Sequence, residues 1–250
     1  MSILLQFIYR LSFGLALAMG LTSGRLVPSG YFRVHLYVLL GMNALAAIVT
    51  WQQPELGPVW LPIAISFVSY VGSALWLYEA SRAGRIALLL VALLSVVAAW
   101  QEAGIGWPTD AAGLLRALDS PTSGLVLGAT MAAMLLGHWY LNTPTMRLDP
   151  LKKLVGLILL AVALRVAVVG LGLTLDLTSE KSWSTDTVWF LLLRWLAGIV
   201  GTIAVAIMAG QTLKIPNTQS ATGILYVGVI VTFIGELTSQ LLSRQTLFPL

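Results

Sequence analysis

The sequence predicts an all-α polytopic membrane protein. It is read as one transmembrane helical domain over 1–250, a bundle of eight transmembrane helices with both termini on the outer (periplasmic) side. Three observations predict this. Of the 250 residues, 58% are hydrophobic and only 10% are charged, against about 25% charged in a soluble domain. The mean hydropathy is +0.90, so lipid is the expected solvent for most of the chain. The apolar residues also fall in eight runs, each long enough at ~1.5 Å per residue to cross a ~30 Å hydrocarbon core.

The runs cover 3–22, 31–50, 59–79, 84–101, 122–141, 152–174, 187–210 and 221–244. In the first, Ala16-Leu17-Ala18 has the spacing of a signal-peptide cleavage site. No positive charge precedes Gln6, however, and Arg10 interrupts the apolar run, so the segment is expected to be a retained first span. Pro28-Ser29-Gly30 separates spans one and two, and Pro54 to Pro58 separates two and three. Trp107-Pro108 and Ser120-Pro121 bound the connection before the fifth span. Within it, AAGLLRAL reads as a short amphipathic helix lying at the interface. Thr143-Pro144 closes the fifth span. The Ser-, Thr- and Asp-rich stretch 175–186 caps the seventh, and Pro216-Asn217 precedes the eighth. No connection is long enough to be a domain linker, and no clear internal repeat is visible.

Charge sets the expected orientation. The connections after spans one, three, five and seven hold Arg25, Arg33, Arg82, Arg85, Arg147, Lys152, Lys153 and Lys214. The opposite face holds Arg116, Lys181 and Arg244. Lysine and arginine concentrate in cytoplasmic loops, so the first group is expected inside and both termini outside. A bacterial inner (cytoplasmic) membrane fits this pattern. The outer face also gathers Glu55, Glu102, Asp110, Asp119, Asp176, Glu180 and Asp186. That is a solvated acidic rim, and it also suits a basic partner.

Composition excludes several functions. The formal charge of +4 and pI near 9.6 do not point to nucleic acid, because the basic residues are membrane-boundary residues that serve topology. Zero cysteines exclude disulfides, cysteine-ligated iron–sulfur clusters and thiol catalysis. No Ser/His/Asp set, carboxylate pair or histidine-rich cluster suggests a hydrolase or a zinc enzyme.

Four charged residues fall inside the spans: Arg10, Arg165, Arg194 and Glu236. Counted along the helices, Arg10 and Arg194 lie ~10 Å below the outer boundary, and Arg165 and Glu236 ~15 Å below it. Each arginine near the centre costs ~2.5–3.5 kcal/mol on insertion scales. Three arginines against one carboxylate leave two positive charges to be answered by backbone carbonyls, water or an anionic ligand. Gln6, Arg10 and Gly14 share a face of span one, and Thr232, Glu236 and Gln240 share a face of span eight. The first and last spans are therefore expected to meet across a polar seam. An outer-half pocket for a quinone head group, a cofactor carboxylate or another anion is one reading of this group. An ion pair that fixes helix register is the other.

His35 and His138 are the only histidines. Each lies ~6 Å from the cytoplasmic boundary, by helical rise. Two imidazoles at one depth on two helices suit bis-histidine ligation of haem b, with the metal bound only in that case. Ordinary anchoring among Tyr31, Tyr37, Trp139 and Tyr140 gives the same pattern. Gly124, Gly128 and Ala132 form a small-residue ridge for close helix packing, and Gly198 and Gly201 do so near Arg194.

The last span, VGVIVTFIGELTSQLL, resembles the end of the DmsC-type membrane anchors of molybdoenzyme reductases at Gly235, Glu236 and Leu237. Eight helices with both termini outward are similar to that family's pattern as well. The resemblance implies a subunit that anchors a catalytic and a ferredoxin-like subunit and exchanges electrons with quinol. The family's His-Leu-Gly-x-Pro stretch after its second helix corresponds here to WQQPELGP. That segment has no histidine, so Glu236 alone is carried over.

These readings lead to an integral membrane subunit of a respiratory-type electron-transfer complex, itself non-catalytic. It is expected to sit in the lipid bilayer, anchor other protein subunits and bind quinone, haem b or both. Two alternatives stay open. One is a small transporter or channel for an anion or proton, for which a repeat and matched broken helices are missing. The other is a ligand-free structural membrane subunit.

Overall fold

The structure is a computed structural model and describes residues 1–143, 145–178, 183–215, 217–243, 246 and 248–250. Glu180, Lys181 and Arg244, read from the sequence as outer-face residues, lie outside the described residues, as do the turn prolines Pro144 and Pro216.

Among the described residues there is no strand, and eight helices are long and apolar enough to cross a membrane. They are α1 Ser2–Leu21, α2 Ser29–Gln52, α3 Trp60–Leu77, α4 Ser81–Glu102, α5 Ala111–Asn142, α6 Asp149–Leu177, α7 Thr185–Thr212 and α8 Thr218–Leu242. A single 3₁₀ turn, Pro54–Leu56, joins α2 to α3. Ser184 caps α7 by accepting from Thr187 N at 3.2 Å, as the Ser- and Thr-rich stretch predicts. Asn217 caps α8 by accepting from Ser220 N at 2.9 Å. The predicted spans match these helices to within a few residues, with two departures.

The first departure is α5. AAGLLRAL is not a separate interfacial helix but the first turns of α5, which runs unbroken for 32 residues. Asp110 starts it, its Oδ1 accepting from Gly113 N at 2.8 Å. Pro121 then lies inside the helix. It has no N–H, so the carbonyl of Ala117 loses its usual helical donor. Trp100 of α4 supplies the missing bond, with Nε1 donating to Ala117 O at 2.8 Å. A proline inside an apolar helix is tolerated when a neighbour satisfies the freed carbonyl in this way. Asp119 is consequently buried within the bundle rather than placed on an outer rim. Asp176 also leaves the expected rim: it is buried on α6 and accepts from Trp183 Nε1 at 3.0 Å.

The second departure is α7. Its middle, Arg194–Gly201, is wound as a π-helix between two α-helical stretches. Such wide turns are rare and concentrate at functional sites.

The helices form two rings of four consecutive members. In the first, α1 packs on α4 and α2, and α3 closes the ring between them; in the second, α5 packs on α6 and α8, and α7 closes it. The rings join chiefly along α1 and α5, which are also the most buried helices. The same ring order in both halves is a feature that the sequence, with no visible repeat, does not reveal.

Glycine sets that junction. A Cβ on Gly14 would collide with the carbonyl of Gly124, and a Cβ on Gly128 would collide with the backbone of Gly14 and Leu15. The small-residue ridge of α5 therefore touches α1 backbone to backbone, as small residues allow. A second crossing brings Gly198 of α7 against Gly235 of α8. Around the perimeter large apolar side chains stay exposed, among them Phe67, Ile86, Leu93, Leu160 and Ile230, a surface suited to lipid contact.

Candidate functional site

The charged residues inside the bundle form one chain of contacts across the junction of the two rings. Arg10 on α1 places Nη2 2.7 Å from Asp119 Oδ2 on α5. Arg165 on α6 places Nη1 2.6 Å from Asp119 Oδ1. Its other edge grips Glu236 on α8 in a fork, Nε to Oε1 at 3.1 Å and Nη2 to Oε2 at 2.9 Å. Arg194 on α7 lies 3.8 Å from Glu236 Oε1 and donates from Nε to Leu250 O at 3.0 Å. Gln6 extends the chain to α4: its Oε1 accepts from Arg10 Nε at 2.9 Å, and its Nε2 donates to Ala99 O at 2.7 Å and to Glu102 Oε2.

The glycine crossings place these groups. Gly14 lies one turn beyond Arg10 on α1, so the contact with Gly124 and Gly128 draws the Arg10 side chain into reach of Asp119. Gly235 precedes Glu236, and Gly198 lies one turn after Arg194, so the second crossing sets that pair. Ser239, one turn below Glu236, accepts from Arg165 Nη2 at 3.0 Å and donates to Leu250 O at 2.5 Å. Residue 250 is thereby tied into the same network.

All four charged residues singled out from the sequence are brought together, but the pattern differs from expectation. The expected direct seam between α1 and α8 is absent among the described residues. The two helices touch only at an edge, where Phe7 and Phe233 meet in a T-shaped contact at 5.0 Å. Asp119 and Arg165 bridge the gap instead. The charge count changes as well. Asp119 adds a second carboxylate to the network, so its three arginines are short of one negative charge rather than two.

A cavity of about 450 Å³ opens beside this network, at the end of the bundle where α1 begins and α8 finishes. Its polar wall comprises Gln6, Arg10, Glu102, Arg116, Asp119 and Gln240, and its apolar wall includes Ile3, Ile105, Phe248 and Pro249. Among the charged residues predicted for a pocket, Arg10 lines this cavity, while Arg165, Arg194 and Glu236 lie behind it. Arg10 Nη1 and both amide atoms of Gln240 have no hydrogen-bond partner among the described residues, although the two side chains are only 6% and 5% exposed. Buried polar groups are normally paired, so these atoms have hydrogen-bonding capacity to spare beside the cavity.

Sequence reasoning missed Asp119 and undervalued Gln240. Asp119 lies just before Pro121, which reads as a boundary. The signal that could have recovered it is the Asp110 cap followed by helical spacing of Leu114, Leu115, Leu118 and Thr122.

The two histidines meet different neighbours. His35 is buried on α2, its Nδ1 2.6 Å from Tyr31 O and its ring 4.6 Å from the Tyr31 ring. His138 is exposed on α5 and faces the Tyr226 hydroxyl of α8 at 3.4 Å. Neither lines the large cavity. Each therefore sits in an aromatic setting of its own. Among the described residues no group of three histidine or acidic side chains is arranged to hold a metal ion.

In comparisons with known proteins, no family model, curated protein or solved structure matches this chain.

Proposed function

We propose that the chain is an integral membrane protein that binds the polar head of a membrane-dissolved ligand in the cavity beside Arg10. The observation that carries this reading is that, among the described residues, Arg10 Nη1 and the Gln240 amide, both on side chains of the cavity wall, are buried without a hydrogen-bond partner. The volume falls in the range of ligand pockets, roughly 300–1,000 Å³, and its mixed wall suits an amphiphile. The basic residues gathered at the opposite end of the bundle support insertion with the cavity outward.

Within this reading the chain is the membrane subunit of an electron-transfer complex in a bacterial inner membrane. It anchors other subunits, and the cavity takes the polar head of a quinone or of another membrane-dissolved amphiphile. The likeness of Gly235, Glu236 and Leu237 to DmsC-type anchors supports it, as does the supply of donors suited to quinone carbonyls: Arg10 Nη1, Gln240 Nε2 and Ser243 Oγ. Haem b is left out of the proposal, because His35 and His138 face different neighbours.

Passage of an anion or proton through the bundle has less support. On the far side of the network α7 and α8 meet backbone to backbone at Gly198 and Gly235, and Thr202 joins Thr232 at 2.9 Å. The close backbone approach leaves little room for a passage there.

The test is binding of decyl-ubiquinone to purified protein, wild type against Gln240→Leu. Gln240 makes no hydrogen bond among the described residues, so its replacement is expected to leave stability largely intact. Affinity is expected to fall about tenfold, the effect of one lost hydrogen bond at ~1.4 kcal/mol. Equal affinity of the two proteins would remove quinone from the cavity.

A further inference from the structure

We infer that the cavity selects an oxyanion carried on an apolar body, in preference to a neutral carbonyl head. This inference rests on the cavity being the binding site. The first argument is charge. Around the cavity and in the network behind it, among the described residues, Arg10, Arg116, Arg165 and Arg194 face Glu102, Asp119 and Glu236. Arg116 is exposed and Arg194 lies behind the wall, so the four arginines and three carboxylates give the cavity a net positive field rather than one unpaired cation. A positive field in a cleft favours an anionic head over a neutral one.

The second argument is where that charge can be reached. Arg165 and Arg194 are fully buried and lie behind the wall. Arg10 is the buried member of the network that lines the cavity: Nε is bound to Gln6 and Nη2 to Asp119, while Nη1 has no hydrogen-bond partner among the described residues. The Gln240 amide, also unpartnered, lines the same cavity, and Arg116 adds a second guanidinium. Donors of this kind on a guanidinium match an oxyanion better than a ketone, because a hydrogen bond charged on both sides is about twice as strong. The third argument is the opposite wall. Ile3, Ile105, Phe248 and Pro249 offer the anion's apolar body a surface. A fatty-acid carboxylate and the phosphodiester of an acidic phospholipid share this chemistry.

The experiment compares four probes against the purified full chain in a neutral detergent. They are decanoate, dihexanoyl-phosphatidylglycerol, decyl-ubiquinone and decanol, each followed by titration calorimetry. At least one of the two anions is expected to bind about tenfold or more tightly than both neutral probes. Gln240→Leu and Arg116→Gln should each weaken that anion about tenfold. A preference for decanoate identifies a carboxylate ligand, and a preference for the phosphatidylglycerol identifies a lipid phosphodiester. If decyl-ubiquinone binds as tightly as both anions and responds to Gln240→Leu, the anion inference falls while the cavity reading stands. If Gln240→Leu changes no probe, both fall.

Discussion

Arg165 reaches Asp119 at 2.6 Å with one edge and forks onto Glu236 with the other, so one guanidinium holds carboxylates from two different helices. Asp119 has a second close cation in Arg10 at 2.7 Å, whereas Glu236 has only a distant one besides Arg165. Arg10 serves only Asp119, and Arg194 stands 3.8 Å from Glu236. Removing one member of a buried pair leaves its partner charged and unanswered. Asp119→Asn is therefore expected to cost about 3–5 kcal/mol, measured by unfolding in mixed micelles. The double variant Arg10→Gln/Asp119→Asn should lose less than the sum of the singles, because they share one contact. Strict additivity would show that Arg10 and Asp119 do not interact.

The crossing of α1 and α5 makes a second prediction. At Gly14 a methyl group would meet the Gly124 carbonyl and force the two rings apart. Gly14→Ala is expected to destabilise by about 1–3 kcal/mol, the usual cost of overpacking. Gly41 and Gly156 are helical glycines where a Cβ meets open space. Gly41→Ala and Gly156→Ala should instead gain up to about 1 kcal/mol from helix propensity. The opposite ranking in thermal unfolding would place the helix crossing elsewhere.

Trp100 and Pro121 predict a compensation. Trp100→Phe keeps most of the buried ring but leaves Ala117 O without a donor. The expected cost is about 1–3 kcal/mol for an unsatisfied buried acceptor. Pro121→Ala restores a backbone N–H that can close the helical bond to Ala117 O. Trp100→Phe/Pro121→Ala should therefore be more stable than Trp100→Phe alone. A double variant that is the weaker of the two would reject this account of the proline.

Those three residues also explain what the sequence could and could not say. The helices were legible because apolar runs of spanning length admit little besides helix in a lipid setting. The junction ridge at Gly124 and Gly128 was legible too, since small residues four apart share a face. Asp119 was not, because Pro121 normally breaks a helix and only a tertiary partner, Trp100, makes it tolerable there. That partner lies in another helix, and helix adjacency is not written in periodicity. Arg10, Arg165, Arg194 and Glu236 could be picked out one by one, but their order in the network follows from which helices are neighbours. Helical rise alone puts His35 and His138 at a similar expected depth. Their separate settings depend on the direction in which each helix faces.

His35 and His138 are expected to act independently. His35 packs with Tyr31 inside the first ring, whereas His138 faces Tyr226 on the second. A double-mutant cycle of His35→Ala and His138→Ala, read by stability, should be additive within about 0.5 kcal/mol. Coupling well above that would mean a shared ligand, and a haem Soret band lost in either variant would identify it.

Arg194 holds the weakest place in the network. Its Nε is bound to Leu250 O, but Nη1 and Nη2 make no hydrogen bond among the described residues, and Glu236 is 3.8 Å away. Three arginines facing two carboxylates leave one charge in excess, and this geometry locates the excess at Arg194. Removing it balances the network, and Leu250 O keeps its bond from Ser239 Oγ. Arg194→Met should therefore stay within about 1 kcal/mol of the wild type, since apolar replacement of poorly paired buried charges is often neutral or stabilising. Arg165→Met strips Asp119 and Glu236 of their best partner and is expected to cost more than about 3 kcal/mol. Glu236→Gln leaves three cations with one carboxylate, and adding Arg194→Met should recover part of that loss. If Arg194→Met falls as far as Arg165→Met, the excess charge is not at Arg194, and Glu236 is serving both arginines equally.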